Sequence, residues 1–346
     1  MSAKELIYRD FEFPDSFTVT RYSSLWTPFL TKVRVGMPRI PTNSINVAFF
    51  MYPDRASAMT GSNSGGTGFY VSVEYPSVRK YIYGVTNGHV ASGNTCIRLN
   101  TEIGQPDCIE LQDIDWEYHP KYDIAVTQLP LPLKHDFHEV VSVDTRTFIT
   151  DEKIKEWDIG IGDDLFMMGR FIDGADDLKN IPVARFGNIS ADPIPTFHPF
   201  RKTLANSYLV DMHSRSGFSG SPVFVYRTPG GNLAETVITG KIDLGNNFFS
   251  LLGIHWGQFD ELWESTHPNA PPNKGYSGMT LVDPATGILE LLDMESIKKP
   301  REKLEEDALK AEIDGRISNM RLESAKTGLT GDQILANMSR MPPTQF

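Results

Sequence analysis

A succession of short apolar runs sets the first constraint on this chain. Residues 45–52, 65–71, 164–169, 184–190, 207–212, 222–226, 236–242 and 250–256 each read as one strand, too short for a packed helix. Glycine- and proline-rich turns separate them, as in proteins built of antiparallel sheet. With 346 residues, the chain has room for two such units and additions at either end.

Three segments carry chemistry. The first is Ser216-Gly217-Phe218-Ser219-Gly220-Ser221-Pro222, which leads into Val223-Phe224-Val225. Glycines on both sides of Ser219 let the backbone turn tightly and bring its N–H groups close to a bound carbonyl. The second is Tyr83-Gly84-Val85-Thr86-Asn87-Gly88-His89-Val90-Ala91, an apolar run that ends in a histidine framed by small residues. The third is His119-Pro120-Lys121-Tyr122-Asp123-Ile124-Ala125-Val126, where an aspartate opens another run. A serine hydroxyl needs a base within hydrogen-bond reach. Histidine can take that proton and return it to a leaving amine. A buried carboxylate holds the imidazole in one tautomer. Asp113, Asp115 and Asp136 compete with Asp123, but only Asp123 directly precedes an Ile-Ala-Val run. His119 and His135 read as surface loop residues.

In this order the three segments resemble the chymotrypsin/trypsin superfamily of serine peptidases, with its Thr-x-x-His, Asp-Ile-Ala and Gly-x-Ser-Gly-(Gly/Ser)-Pro motifs. The resemblance spans residues 45–290. It implies an all-β fold of two six-stranded antiparallel β-barrels. It also implies His89, Asp123 and Ser219 as the catalytic triad, and the N–H groups of Gly217 and Ser219 as the oxyanion hole. The segment Gly253-Ile254-His255-Trp256-Gly257 is similar to the bacterial glutamyl endopeptidase branch. That likeness implies a substrate pocket of His213, Ser214, Arg215, His255, Trp256 and Gly257, and cleavage after acidic residues. Charge-assisted hydrogen bonds to a carboxylate are about twice as strong as neutral ones.

The chain departs from the family in two ways. Val90 stands where many secreted relatives carry a disulfide cysteine after the histidine. The two cysteines, Cys96 and Cys108, flank turn residues 104–107 and read as reduced thiols. Phe218 stands where zymogen-activated relatives place an aspartate that pairs with a freshly cut N-terminus, so that route to an ordered oxyanion hole is closed.

The domains expected are an N-terminal extension at 1–44, a first barrel with linker at 45–155, a second barrel at 156–295, and a charged helical tail at 296–346. The tail helix should start at Pro300. From 301 to 326, 13 of 26 residues are charged, and Leu309, Ile313, Ile317 and Met320 form one narrow apolar stripe. A second short helix should follow Thr330. The net charge of −11, with no Lys/Arg block, argues against nucleic acid or an anionic membrane as partner. No secretory h-region or membrane-length apolar run is present, so a cytoplasmic location is expected. Neither cofactor nor metal is called for. The expected partners are a protein or peptide substrate and an activating or recruiting protein held by the tail. The function expected is a serine endopeptidase acting through an acyl-enzyme. A non-catalytic binding module on the same fold and an esterase-like hydrolase are the alternatives.

Overall fold

The computed structural model describes residues 40, 42–75, 80–129, 137–170, 179–226, 249–263 and 273–327. Residues 1–39 and 41 of the extension, His135, Asp136, the strand expected at 236–242 and the helix expected after Thr330 lie outside these residues.

The chain forms two sheets joined by short helices. The first holds β1 (Ala48–Tyr52), β2 (Gly66–Glu74), β3 (Lys80–Thr86), β4 (Cys96–Leu99), β5 (Asp107–Glu110), β6 (Glu117–Tyr118), β7 (Ala125–Gln128) and β8 (Val143–Asp144). Helix α1 (Arg55–Thr60) follows β1, and the single turn α2 (Gly88–Ala91) follows β3. Helix α3 (Asp151–Trp157) leads to the second sheet: β9 (Asp164–Gly169), β10 (Val183–His198), β11 (Thr203–Asp211), β12 (Pro222–Tyr226), β13 (Phe249–Trp263) and β14 (Asn273–Pro284). Helices α4 (Ala285–Leu292) and α5 (Glu295–Thr327) come last.

The expectation of two matched six-stranded antiparallel barrels is overturned. The first sheet has eight strands in the order β5-β4-β1-β2-β3-β7-β6, with β8 added to β2, and it does not close. Its end strands, β5 and β6, are joined by a 3-10 turn at Asp113–Asp115 that Gln112 and Asp115 close as a capping box. Strand β8 pairs parallel to β2, Val71 opposite Val143. The second sheet is antiparallel and returns on itself in the order β10-β11-β14-β13-β12-β9.

One core cluster crosses both sheets. Phe69, Val71, Val85 and Val126 of the first meet Phe166, Phe224 and Ile254 of the second, with Ile288 and Leu291 of α4 over them. Strand β1, Ala-Phe-Phe-Met-Tyr, is buried throughout, which explains its unbroken apolar run. Helix α5 starts five residues before the expected Pro300, which it carries inside. Its first turns are fixed by tertiary contacts: Ile297 packs in the core, and Arg301 donates to Tyr75 Oη (3.0 Å), Tyr83 Oη (3.1 Å) and the Leu292 carbonyl (3.2 Å). Among the described residues, no helix is long and apolar enough to cross a membrane.

Candidate active site

His89 lies in α2, at the end of β3, where Asn87 turns the chain. Asn87 Nδ2 and the Gly88 N–H both donate to the Asp123 carbonyl, at 2.8 and 3.3 Å. The Asp123 carboxylate then grips His89 twice. Oδ1 accepts from the His89 backbone N–H at 3.1 Å, and Oδ2 lies 2.5 Å from Nδ1. Asp123 is 3% exposed, while the His89 side chain is 38% exposed. A buried carboxylate thus fixes both the ring and its backbone, and Nε2 is left for other work. Gly88 is required by close approach: a Cβ there would meet Phe200 Cε1 at 2.5 Å and Asp123 Oδ1 at 3.0 Å.

Ser219 is brought to the same region by contacts between the sheets. The Thr67 N–H donates to the Ser219 carbonyl at 2.9 Å. Beside it, a Cβ on Gly66 would touch both the Val90 side chain at 2.9 Å and Ser219 O at 3.1 Å, so the serine turn and the residue after His89 share one neighbour. The Thr67 hydroxyl donates to the Gly217 carbonyl at 2.7 Å. Thr86, three residues before His89, donates to the Thr67 carbonyl at 2.6 Å. Gly220, at φ 86°, packs so closely on Thr67 O that a Cβ would lie 1.9 Å from it. Gly217 also has positive φ, 97°, which an L side chain rarely adopts. Behind the turn, the Gly220 N–H donates to the His255 carbonyl, and the His255 N–H to the Ser221 carbonyl, both at 2.9 Å. Phe218 is fully buried among Met167, Met212 and Val223, with the Arg185 guanidinium 5.7 Å from its ring centre. It anchors the turn by packing where an aspartate would do so by charge.

The residues expected to line a substrate pocket divide into two groups. Ser214 and His255 are buried together, with Ser214 Oγ 2.7 Å from His255 Nε2. His255 Nδ1 lies 3.2 Å from the Leu281 carbonyl, so Nδ1–H donates there and Nε2 accepts from the serine hydroxyl. Burial pushes the imidazole down to about 4. His213 and Arg215 are exposed, His213 beside Gly278 of β14. Trp256 and Gly257 are half-buried, and Trp256 is tied down, its Nε1 donating to Ser207 Oγ at 3.2 Å.

That bond belongs to a second grouping of serine, histidine and aspartate, which sequence reasoning missed. Ser207 Oγ lies 2.8 Å from Asp283 Oδ1 and 3.3 Å from His198 Nε2, and all three residues are 0% exposed. The Ser207 O–H is directed to Asp283 Oδ1, the Trp256 ring lies 4.3 Å from that of His198 between centres, and none of the three is exposed to a substrate. The group supports Asp123 instead, whose N–H donates to Asp283 Oδ2 at 3.2 Å. Burial, then the neighbouring Asp123 charge, holds the Asp283 carboxyl well above its usual range. The sequence carried one signal, an aspartate ending the apolar run Leu281-Val282.

His119 corrects another expectation. It is 2% exposed, with Nε2 2.9 Å from Glu290 Oε2, while Nδ1 accepts from the N–H groups of Lys121 and Tyr122. Its role is to shape the turn that presents Asp123. Cys96 and Cys108 are free thiols on the β4–β5 hairpin. Among the described residues, no group of three His, Cys, Asp or Glu could hold a metal ion.

Chemically, an aspartate-clamped imidazole and a serine in a glycine-framed turn are the parts that serine-hydrolase chemistry calls for. No family model and no curated protein matches the sequence. Among solved structures, the chain is similar to the MamO protease domain from Magnetospirillum magneticum: 15% identity, TM-score 0.43, 73% of this chain and 99% of that one covered. It is also similar to the HtrA-type protease AlgW with a tripeptide (15%, 0.39, 75% and 65%). A third is the Rv3671c protease from M. tuberculosis in its active form (15%, 0.39, 72% and 81%). Likeness at this level assigns no chemistry to this chain.

Proposed function

We propose that the chain is a serine endopeptidase working through an acyl-enzyme. The observation that carries the reading is the double grip of the buried Asp123 on His89, with the Ser219 turn tied through Thr67 and Thr86 to the strand that leads to His89. His89 Nε2 takes the Ser219 hydroxyl proton as Oγ attacks the substrate carbonyl carbon. The N–H groups of Gly217 and Ser219 hold the resulting oxyanion. The C–N bond breaks as His89 returns the proton to the leaving amine. Water, activated by the same imidazole, then attacks the ester and frees Ser219. Labelling by a fluorophosphonate tests this. Wild type should label and Ser219→Ala should not. An unlabelled wild type favours a binding module.

Cleavage after acidic residues is part of the same proposal. Ser214 and His255 form a buried donor–acceptor pair, with His213 and Arg215 adding cationic character at the surface. An incoming carboxylate would take a hydrogen bond from the Ser214 hydroxyl and favour protonation of His255, whose burial otherwise resists charge. A peptide-library profile should show Glu or Asp before the cut. Equal cleavage after Leu or Lys would remove this part and leave the enzyme.

Beyond Ala308, helix α5 leaves Leu309, Ile313 and Ile317 exposed on one face. This stripe supports the proposal that α5 recruits a regulatory protein. Two free thiols and no disulfide among the described residues suit a reducing, cytoplasmic setting.

A further inference from the structure

Something must hold the oxyanion loop in shape in a chain whose Phe218 cannot do so by charge. We infer that Thr67, on the first sheet, is the positioning residue that orders the oxyanion loop of the second. This rests on Ser219 being the nucleophile.

The inference follows the loop peptide by peptide. The Ser219 N–H belongs to peptide 218–219, whose carbonyl accepts from the Ser221 N–H at 2.9 Å. The next peptide, 219–220, is held at both ends: its carbonyl by the Thr67 N–H, its N–H by the His255 carbonyl, each at 2.9 Å. The Gly217 N–H points according to how Gly217 is turned, and the lack of a side chain, which permits its φ of 97°, leaves that turn unconstrained by the residue itself. What pins it is the peptide that follows. The Phe218 N–H donates to the Arg215 carbonyl at 3.2 Å, and the Gly217 carbonyl accepts from Thr67 Oγ1 at 2.7 Å. Thr67 therefore holds the carbonyls of both residues whose N–H groups would form the hole.

Thr67 is itself immobilised. It is fully buried, its carbonyl accepts from Thr86, and its hydroxyl oxygen accepts from the Arg170 N–H at 3.0 Å. With that donor on the oxygen, the hydroxyl hydrogen is directed to Gly217. Thr86 lies on the strand that delivers His89, so one chain of hydrogen bonds joins the base's strand to the oxyanion loop. A loop fixed this way needs no new N-terminus.

The test compares Thr67→Val, which keeps the shape and loses the donor, with Thr67→Ser, which keeps the donor, and Thr67→Cys, a weak donor of serine's size. Kinetics use the best peptide substrate from library profiling, and each variant's fold is checked by thermal melting. Thr67→Val and Thr67→Cys should lower kcat by about 10- to 100-fold with KM within about two-fold, short of the full loss of one oxyanion donor. They should weaken a peptidyl boronate inhibitor, which needs the hole, by the same factor. Thr67→Ser should stay within about three-fold of wild type on both. If Thr67→Val fails to fold, the Ser/Cys pair decides. Wild-type kcat in Thr67→Cys, or an equal loss in Thr67→Ser, overturns the inference. Ser219→Ala separates the premise: if it hydrolyses the substrate as wild type does, the nucleophile assignment has failed rather than the role of Thr67.

Discussion

Acidification should weaken this protein through His255, and the size of the effect can be worked from its surroundings. The imidazole is buried, donates from Nδ1 to Leu281 and accepts at Nε2 from Ser214, so every contact suits the neutral ring. Burial lowers it to about 4, against about 6.5 for an unperturbed histidine. At pH 7 the ring is neutral in both folded and unfolded chains and contributes nothing to pH dependence. Between pH 6.5 and 4 the unfolded chain takes a proton that the folded chain refuses. Stability is therefore lost as pH falls through that window, by up to about 1.4 kcal/mol per unit and about 3 kcal/mol in total. His255→Gln keeps an acceptor and a donor but cannot titrate. Urea denaturation followed by tryptophan fluorescence, at half-unit steps from pH 7 to 4, should show wild type losing about 3 kcal/mol more than the variant. His119 and His198, also lowered by burial, titrate in both proteins and cancel. Parallel curves would refute the reasoning and mean that His255 accepts a proton in the folded chain. The Ser214–His255 pair would then be open to water, and the proposed pocket would be cationic before substrate arrives.

Three other perturbations have defined outcomes. Phe218→Ala removes a fully buried ring behind the Ser219 turn and should cost about 3–5 kcal/mol by chemical denaturation, with fluorophosphonate labelling falling more steeply than the folded fraction. Arg301→Leu leaves the Leu292 carbonyl and two tyrosine hydroxyls without their donor and should cost about 1–3 kcal/mol, with hydrogen exchange accelerating first in α5. Asp283→Asn removes a carboxyl whose folded value is raised. The folded chain there holds a proton that the unfolded chain gives up, so wild type loses stability as pH rises above the ordinary carboxylate value. The variant should gain on wild type from pH 4 to pH 7 in urea midpoints, and a gap that narrows over that range would contradict a protonated Asp283.

The strands and the groups with local signatures were legible in the chain itself. Residues 164–169 and 222–226 are strands at the positions their apolar runs mark, because a strand buried on both faces must be apolar throughout. His89, Asp123 and Ser219 stood out because each sits in a short motif of small residues. The closure of the sheets was not legible. The first sheet includes a two-residue parallel strand at 143–144, and a capped 3-10 turn at 113–115 joins its two end strands, elements too short for periodicity to register. His119 read as a loop residue, yet it is buried and pairs with Glu290, 171 positions later. Thr67, Ser207, His198 and Asp283 carry no motif, since each matters only through partners far along the chain. Sequence alone singled out His89, Asp123 and Ser219, by residue type and local motif. Only tertiary structure decided what holds them, because a hydrogen bond between Thr67 and Gly217 spans 150 residues and exists only once the two sheets have packed.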